Sequence, residues 1–436
     1  MQRKLYFLFF VYLVSCGNPI REYKLDSPMV IDQVLNQSTE MMVHDVSNPP
    51  LATRFYAYVC LAGYQSLSAF EMQPKKWLDS LNGYSPFSGV IIKQADPGLS
   101  AVLSMAQVSA AIQPSGNIMR EWIAKFRDSI VSAGCPEAVY DSSLKMADNI
   151  SRHIIDYAKK DGYSKLTALP RFSPGKSPGQ WYPTPPGYFP AVEPYFSRIR
   201  PFTIDTADLA QYEIPAPAPY STEKGSLFYQ SALAVFEADQ QRTQRDIAAF
   251  WDCNPFALSE NGHLLIGLKK ISPGAHWMGI AGIAAQNLNL GFAESVQLRT
   301  VLSVCMMDAF WLCWREKYRT NRIRPETAIR KLIDPSWKPF LQTPPFPEYP
   351  SGHSVVSSAA AEVLTSLLGE NIAYTDTVER RYGIPDRTYQ SFQQAAAEAS
   401  MSRFAGGIHF MDAIVNGQKL GKTLGNSGLR KLGYKQ

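Results

Sequence analysis

The chain has 436 residues, 45% of them hydrophobic and 19% charged, and its 43 basic and 38 acidic side chains give a formal net charge of +5. So large an apolar fraction can bury enough surface to offset chain entropy, which excludes a disordered or fibrous protein. The charge is mild and forms no concentrated basic stripe, which argues against nucleic acid as a partner.

In chain order, Arg3 and Lys4 precede an apolar run from Leu5 to Leu13. Such a run has the length of a signal-peptide core and is too short to span a bilayer permanently. It ends in Leu13-Val14-Ser15-Cys16, which resembles the lipobox of bacterial lipoproteins. Residues 1–15 are therefore expected to be a cleaved lipoprotein signal peptide, and residues 16–436 the body, anchored through a lipid on Cys16. The expected location is the bacterial cell envelope, exported and facing the periplasm or the surface. An ordinary signal peptide with a chance cysteine would also export the chain. Losing Arg3 and Lys4 lowers the charge from +5 to +3. No later stretch offers the roughly 18 uninterrupted apolar residues of a transmembrane helix, so attachment to the membrane is expected through the lipid only.

Helical periodicity predicts helices over Arg54 to Phe70, Asn117 to Ser132, Glu137 to Asp161, Thr222 to Phe250, Met278 to Asn287, Ala293 to Tyr318, Ser351 to Leu368, Ser391 to Ser402 and Asp412 to Leu424. Strand alternation is scarce, so the predicted fold class is all-α, one helical body without internal repeats. Leu169 to Pro219 is dense in prolines and carries Trp181, Tyr182, Tyr188, Phe189, Tyr195 and Phe196. Proline excludes helix interiors and the aromatic rings argue against disorder, which predicts an ordered loop packed on the helices. Cys60, Cys135, Cys253, Cys305 and Cys313 lack C-x-x-C spacing and read as core thiols, giving neither a zinc site nor a disulfide scaffold. His44, His153 and His263 have no candidate partners nearby. Gly352-His353-Ser354 lacks the second glycine and the preceding strand of a nucleophile elbow. Gly417 to Thr423 is one residue short of a phosphate loop and reads as a helix end.

Three stretches in the last third carry chemistry. In the first, Lys317 to Pro325, Lys317 and Arg324 stand seven apart, two helical turns, so both cations can face one anion before Pro325 stops the helix. A solvated basic helix end would look the same. The second is Pro347-Glu348-Tyr349-Pro350-Ser351-Gly352-His353. Here Ser351 can cap a helix whose first-turn amides, Gly352 among them, favour an anion beside His353, although a capped structural helix is the plainer reading. The third is Ser402 to Asp412. Arg403 ends one helix, Gly406-Gly407 allows a tight turn, and His409 opens the next segment with Asp412 three residues on.

The ordered set K-x6-R-P, P-S-G-H and S-R-x5-H, from about Val301 to Asp412, resembles the superfamily that joins vanadium-dependent haloperoxidases with type-2 phosphatidic acid phosphatases and bacterial acid phosphatases. Upstream, Pro273-Gly274-Ala275-His276-Trp277 is only suggestive. The resemblance implies a helical bundle around a tetrahedral oxyanion, vanadate or phosphate. Lys317, Arg324 and Arg403 would hold its oxygens, with Ser351 and the Gly352 amide donating further hydrogen bonds. His409 would be the axial vanadium ligand, or the nucleophile of a phosphatase. His353 would be the acid–base group opposite it, with Lys317 also polarising bound peroxide. Trp314 and Phe346 match the aromatic positions that flank vanadate in chloroperoxidase-type enzymes and would wall a halide pocket. Asp412 falls one residue short of the spacing at which phosphatases place the carboxylate supporting the second histidine, which leaves its supporting role open. His276 and Asp308 are expected to pack or to support. The favoured expectation is a vanadate-dependent haloperoxidase using hydrogen peroxide, halide and a small organic acceptor. The alternatives are a periplasmic acid phosphatase working through a phosphohistidine in the same site, and a tethered oxyanion-binding lipoprotein, against which the histidine pair argues.

Overall fold

Helix starts in this chain are written repeatedly as a capping side chain followed by proline. A side-chain oxygen satisfies a first-turn amide, and proline occupies a position where no amide is needed. Asn48 accepts from the Leu51 amide before Pro49-Pro50, Asp96 from Leu99 before Pro97, and Ser272 from Ala275 before Pro273. The computed structural model describes residues 24–73, 77–175, 177–238, 244–261, 264–268 and 270–435. Cys16, the signal segment and His263 lie outside the described residues. The described α-helices are α1 (Met29–His44), α2 (Pro49–Ala69), α3 (Pro97–Ile112), α4 (Gly116–Ser132), α5 (Glu137–Lys159), α6 (Leu227–Ala238), α7 (Arg245–Phe250), α8 (Pro273–Asn287), α9 (Phe292–Thr320), α10 (Pro325–Leu332), α11 (Gly352–Leu368), α12 (Phe392–Ala405) and α13 (Met411–Lys431). Two short antiparallel hairpins are the only described sheets: β1 (Leu258–Asn261) pairs Leu258 with Gly267 of β2 (Leu264–Gly267), and β3 (Tyr374–Asp376) pairs Tyr374 with Tyr389 of β4 (Arg387–Tyr389). The all-α expectation holds.

α9 runs through the centre and packs against α2, α8, α11 and α13. Among the described helices it is the one long and apolar enough to cross a membrane, yet its apolar stretch is almost wholly buried inside the fold. That burial explains why apolar residues surround it on every side. The loop from 169 to 219 is ordered against it. Trp314 Nε1 and Tyr318 Oη both donate to the Val192 carbonyl, Trp311 Nε1 donates to the Ile199 carbonyl, and Trp181 and Phe196 are fully buried. Asp308 pins the same loop by accepting from the Phe202 and Thr203 amides and the Thr203 hydroxyl. All five described cysteines are free and buried.

Three sequence expectations need correction. α9 ends at Thr320, where Asn321 takes a left-handed conformation (φ 47°), and Pro325 opens α10 instead of stopping a helix. Lys317 and Arg324 therefore do not share a helix face. They meet because the chain reverses at Asn321 and Arg324 becomes the residue preceding α10. The stretch Thr222 to Phe250 is not helical from its start: helix begins only at Leu227, and the described parts carry α6 and α7. Gly417 to Thr423 is not a helix end but the middle of α13. Its glycines face α11 so closely that a Cβ on Gly421 would lie 2.2 Å from the Val355 carbonyl oxygen, and one on Gly417 2.9 Å from Ser354 Cβ. This close approach fixes the start of α11, where the Ser351 amide also donates to the Ala413 carbonyl at 3.1 Å.

Candidate active site

The end of α9, the starts of α10, α11 and α13, the end of α12 and the segment before α11 converge, and each delivers sequence-predicted residues. Lys317, Arg324, Arg403 and His409 are between 0 and 3% exposed. A small cleft, partly open to solvent, is lined by Trp314, Phe346, Gly352, His353, Arg403 and His409 among others. Buried cations of one sign repel, so each guanidinium or ammonium needs carbonyls, carboxylates or an anion.

Hydrogen bonds fix both histidine tautomers. Arg324 Nη1 lies 3.1 Å from His409 Nε2, and a guanidinium only donates, so that nitrogen is the acceptor. The ring proton is then on Nδ1, which donates to Glu348 Oε1 at 2.8 Å. Likewise Arg403 Nη1 stands 3.3 Å from His353 Nε2. Burial, reinforced by Arg324, Lys317, Arg403 and Arg322, holds the His409 pKa well below the ordinary imidazole value. Burial, then Arg403 and His409, does the same for His353. Both rings are neutral at neutral pH.

The cations are not equivalent. Lys317 Nζ gives all three protons to carbonyls, those of Pro347 (2.9 Å), Glu348 (2.9 Å) and Pro350 (2.6 Å), so it stitches α9 to the segment before α11. Burial, with Arg324 adding to it, pushes its pKa down to about 7. Arg324 donates to the Phe346 and Ile408 carbonyls, and Arg403 to the Trp251 carbonyl. Arg324 Nη2 and Arg403 Nε are buried with no partner. Such orphaned N–H groups are costly unless a ligand supplies acceptors. Ser351 accepts from the Ser354 amide and hydroxyl, which leaves its own proton free to donate, and Gly352 begins α11. A Cβ on Gly352 would stand 3.7 Å from both Phe310 and Trp314.

The aromatic wall forms as the sequence suggests. Trp314 and Phe346 have ring centroids 4.9 Å apart, and Phe310, which the sequence did not single out, packs edge-on to Trp314 at 5.3 Å. Lys317 Nζ lies 5.2 Å from the Phe346 centroid. Asp412 does not support His409: it accepts from Arg322 at 2.6 Å. The carboxylate on His409 is Glu348, fully buried, which also accepts from the Phe410 amide at 3.0 Å and from Arg322 at 3.2 Å. Glu348 stood in the P-E-Y-P-S-G-H stretch without a role, because nothing in a linear spacing links it to a histidine 61 residues later. The one available signal was an acidic residue set among prolines and glycine.

An all-helical protein that gathers buried cations and two neutral histidines at one aromatic-walled cleft is the class that fold and site define. Residues 297–433 match the family description "VCPO second helical-bundle domain". The chain is similar to the crystal structure of the first bacterial vanadium-dependent iodoperoxidase, with 40% identity, TM-score 0.86, and coverage of 93% of this chain and 96% of that one. It also shares its fold with the holo and apo forms of a bacterial vanadium-dependent chloroperoxidase. Identity is 14% to each, with TM-scores of 0.64 and 0.62, over 88% of this chain and 92% and 94% of theirs. No curated protein matches the chain significantly. The chain belongs to the vanadium-dependent haloperoxidase family, enzymes of the peroxidase kind.

Proposed function

We propose that this chain is a vanadate-dependent haloperoxidase that oxidises halide with hydrogen peroxide to hypohalous acid, which then halogenates a small organic acceptor. The single observation that carries the proposal is the tautomer of His409, whose Nε2 lone pair is turned towards the cleft cations while Nδ1–H is tied to Glu348. A neutral imidazole held from behind by a carboxylate is how proteins present a histidine to a metal. The residues fit vanadate on their own chemistry, because the unpartnered N–H groups of Arg324 and Arg403 lack an acceptor that a tetrahedral oxyanion would provide.

Arg324 and Arg403 would hold the oxyanion by these groups, with the Ser351 hydroxyl and the Gly352 amide at the positive end of α11. Lys317 would add charge, and would donate to the oxyanion on releasing one of its three carbonyls. Bound vanadate supplies Lewis acidity towards peroxide with no change of oxidation state. His353, neutral, would accept the proton that incoming peroxide must lose at Nε2, once Arg403 Nη1 has turned from that nitrogen to the oxyanion. Trp314, Phe346 and Phe310 exclude water from the halide's approach. Iodide is the first halide to test, since the 40% identical relative is an iodoperoxidase. Export and lipid attachment at Cys16 belong to the same proposal and rest on residues 3–16.

The test incubates purified protein with orthovanadate, then adds peroxide, iodide or bromide and a phenol dye. Halogenated dye is expected, with turnover abolished in His409→Ala. No halogenation, together with vanadate-inhibited phosphomonoester hydrolysis, would overturn the proposal in favour of a phosphatase.

A further inference from the structure

Behind the anion cleft, three donor atoms from distant parts of the chain meet. Cys253 follows α7, His276 lies in the first turn of α8, and Glu379 follows β3. Cys253 Sγ stands 3.4 Å from His276 Nδ1 and 3.6 Å from Glu379 Oε1, and His276 Nδ1 is 3.5 Å from that same oxygen. All three residues are buried. The other ring nitrogen, Nε2, lies 2.8 Å from Asp376 Oδ2.

If His276 gives its Nε2–H to Asp376, its Nδ1 is a lone pair facing a carboxylate oxygen across a gap too long for a direct hydrogen bond. One thiol proton can serve only one of these two acceptors. A zinc-type ion with its usual bonds to sulfur, nitrogen and oxygen would set tetrahedral donors roughly 3.3–3.6 Å apart, which is the spacing found here. A carboxylate behind the histidine is the usual support for such a ligand.

We propose that Cys253, His276 and Glu379 form a second, structural site for a divalent cation of the zinc or cobalt type, with Asp376 orienting His276 and a fourth position left to water. Thiolate, imidazole and carboxylate together suit these ions better than magnesium or calcium. The site is coupled to the cleft. Trp251 stacks on the His276 ring with centroids 4.6 Å apart, its carbonyl accepts from Arg403, and Cys253 lines the cleft wall. Ligands drawn from three separate segments also explain why cysteine spacing gave no hint of the site.

The competing occupant is a proton. Asp376 and Cys253 outweigh burial and hold the His276 pKa well above its ordinary value, so the metal-free cluster would carry an imidazolium between two carboxylates. The experiment uses the whole protein, stripped with chelator, without vanadate, and dialysed against Co²⁺. One cobalt retained per chain after gel filtration is expected, with a thiolate-to-cobalt charge-transfer band that disappears in Cys253→Ser and persists in His409→Ala. Glu379→Gln, a smaller change, should weaken retention at least tenfold. Cobalt that is not retained, or is retained without the band, overturns the proposal even if a variant fails to fold, because the wild-type spectrum alone decides. Vanadate is absent throughout, so the outcome does not depend on the haloperoxidase reading.

Discussion

Glu348 ties three parts of the cleft together. One carboxylate oxygen accepts from His409 Nδ1 and the Phe410 amide, and the other accepts from Arg322, whose other partner is Asp412. Burial raises its pKa against the pull of Arg322, Arg324 and Lys317. Its charge therefore stays only because cations surround it. Glu348→Gln keeps an acceptor for His409 but removes the charge that, on the proposed reading, would make the ring a strong ligand. The expected result is vanadate binding weakened by about 10–100-fold, measured by equilibrium dialysis. Asp412→Asn reaches His409 and Glu348 through Arg322 and should weaken it much less. Equal effects of the two substitutions would remove Glu348 from its positioning role. That Lys317, Arg324, Arg403, His353 and His409 gather at one place was legible because each residue sits in a short motif with a resemblance behind it. Glu348 and Phe310 were not: Glu348 meets a histidine 61 residues later, and Phe310, although one helical turn before Trp314, faces Gly352 only once α9 and α11 have packed.

At the level of elements, the pair α11 and α13 sets how rigidly the oxyanion site is held. Gly417, Gly421 and Gly425 recur every four residues on one face of α13, and a Cβ on Gly425 would come within 2.9 Å of Glu362 Cβ. A four-residue spacing keeps them on one stripe, so the backbones approach directly. Gly421→Ala gains about 1 kcal/mol of helix propensity but forces the Cβ against the Val355 carbonyl, an overpacking cost of about 1–3 kcal/mol. Because the obstacle is backbone and cannot rotate away, net destabilisation is expected, read as a lower urea midpoint. A midpoint equal to or above wild type would show that the helices can part freely. Amphipathic helices such as α5 were readable from periodicity. α3 was not, because it is buried nearly all round and shows no polar stripe. α10 was hidden by reading Pro325 as a stop when, after the turn at Asn321, it is a start.

Across the whole molecule, the cleft concentrates positive charge that the modest net charge of +5 conceals. Lys317, Arg322, Arg324 and Arg403 are buried together, and an oxyanion relieves their repulsion. The sign of the pH effect follows. His353 and His409 have folded pKa values held below the ordinary 6.5. The unfolded chain therefore binds protons first on acidification, and the stability these rings confer is present above about 6.5 and lost as the pH falls below it. Lys317, lowered from 10.5 to about 7, acts in a higher window, where stability rises between about 7 and 10.5. A bound dianion pulls these pKa values back up and shrinks each difference. Sulfate is a tetrahedral dianion that does not titrate in this range, so it isolates the effect. The melting temperature, followed by calorimetry from pH 8 to pH 5, should fall less with saturating sulfate than with chloride at equal ionic strength. At 100 times its Kd a ligand adds about 2.7 kcal/mol, a shift that calorimetry resolves. Parallel curves in sulfate and chloride would mean that the two histidines do not sense the anion, and His353 could not then serve as the proton acceptor beside it.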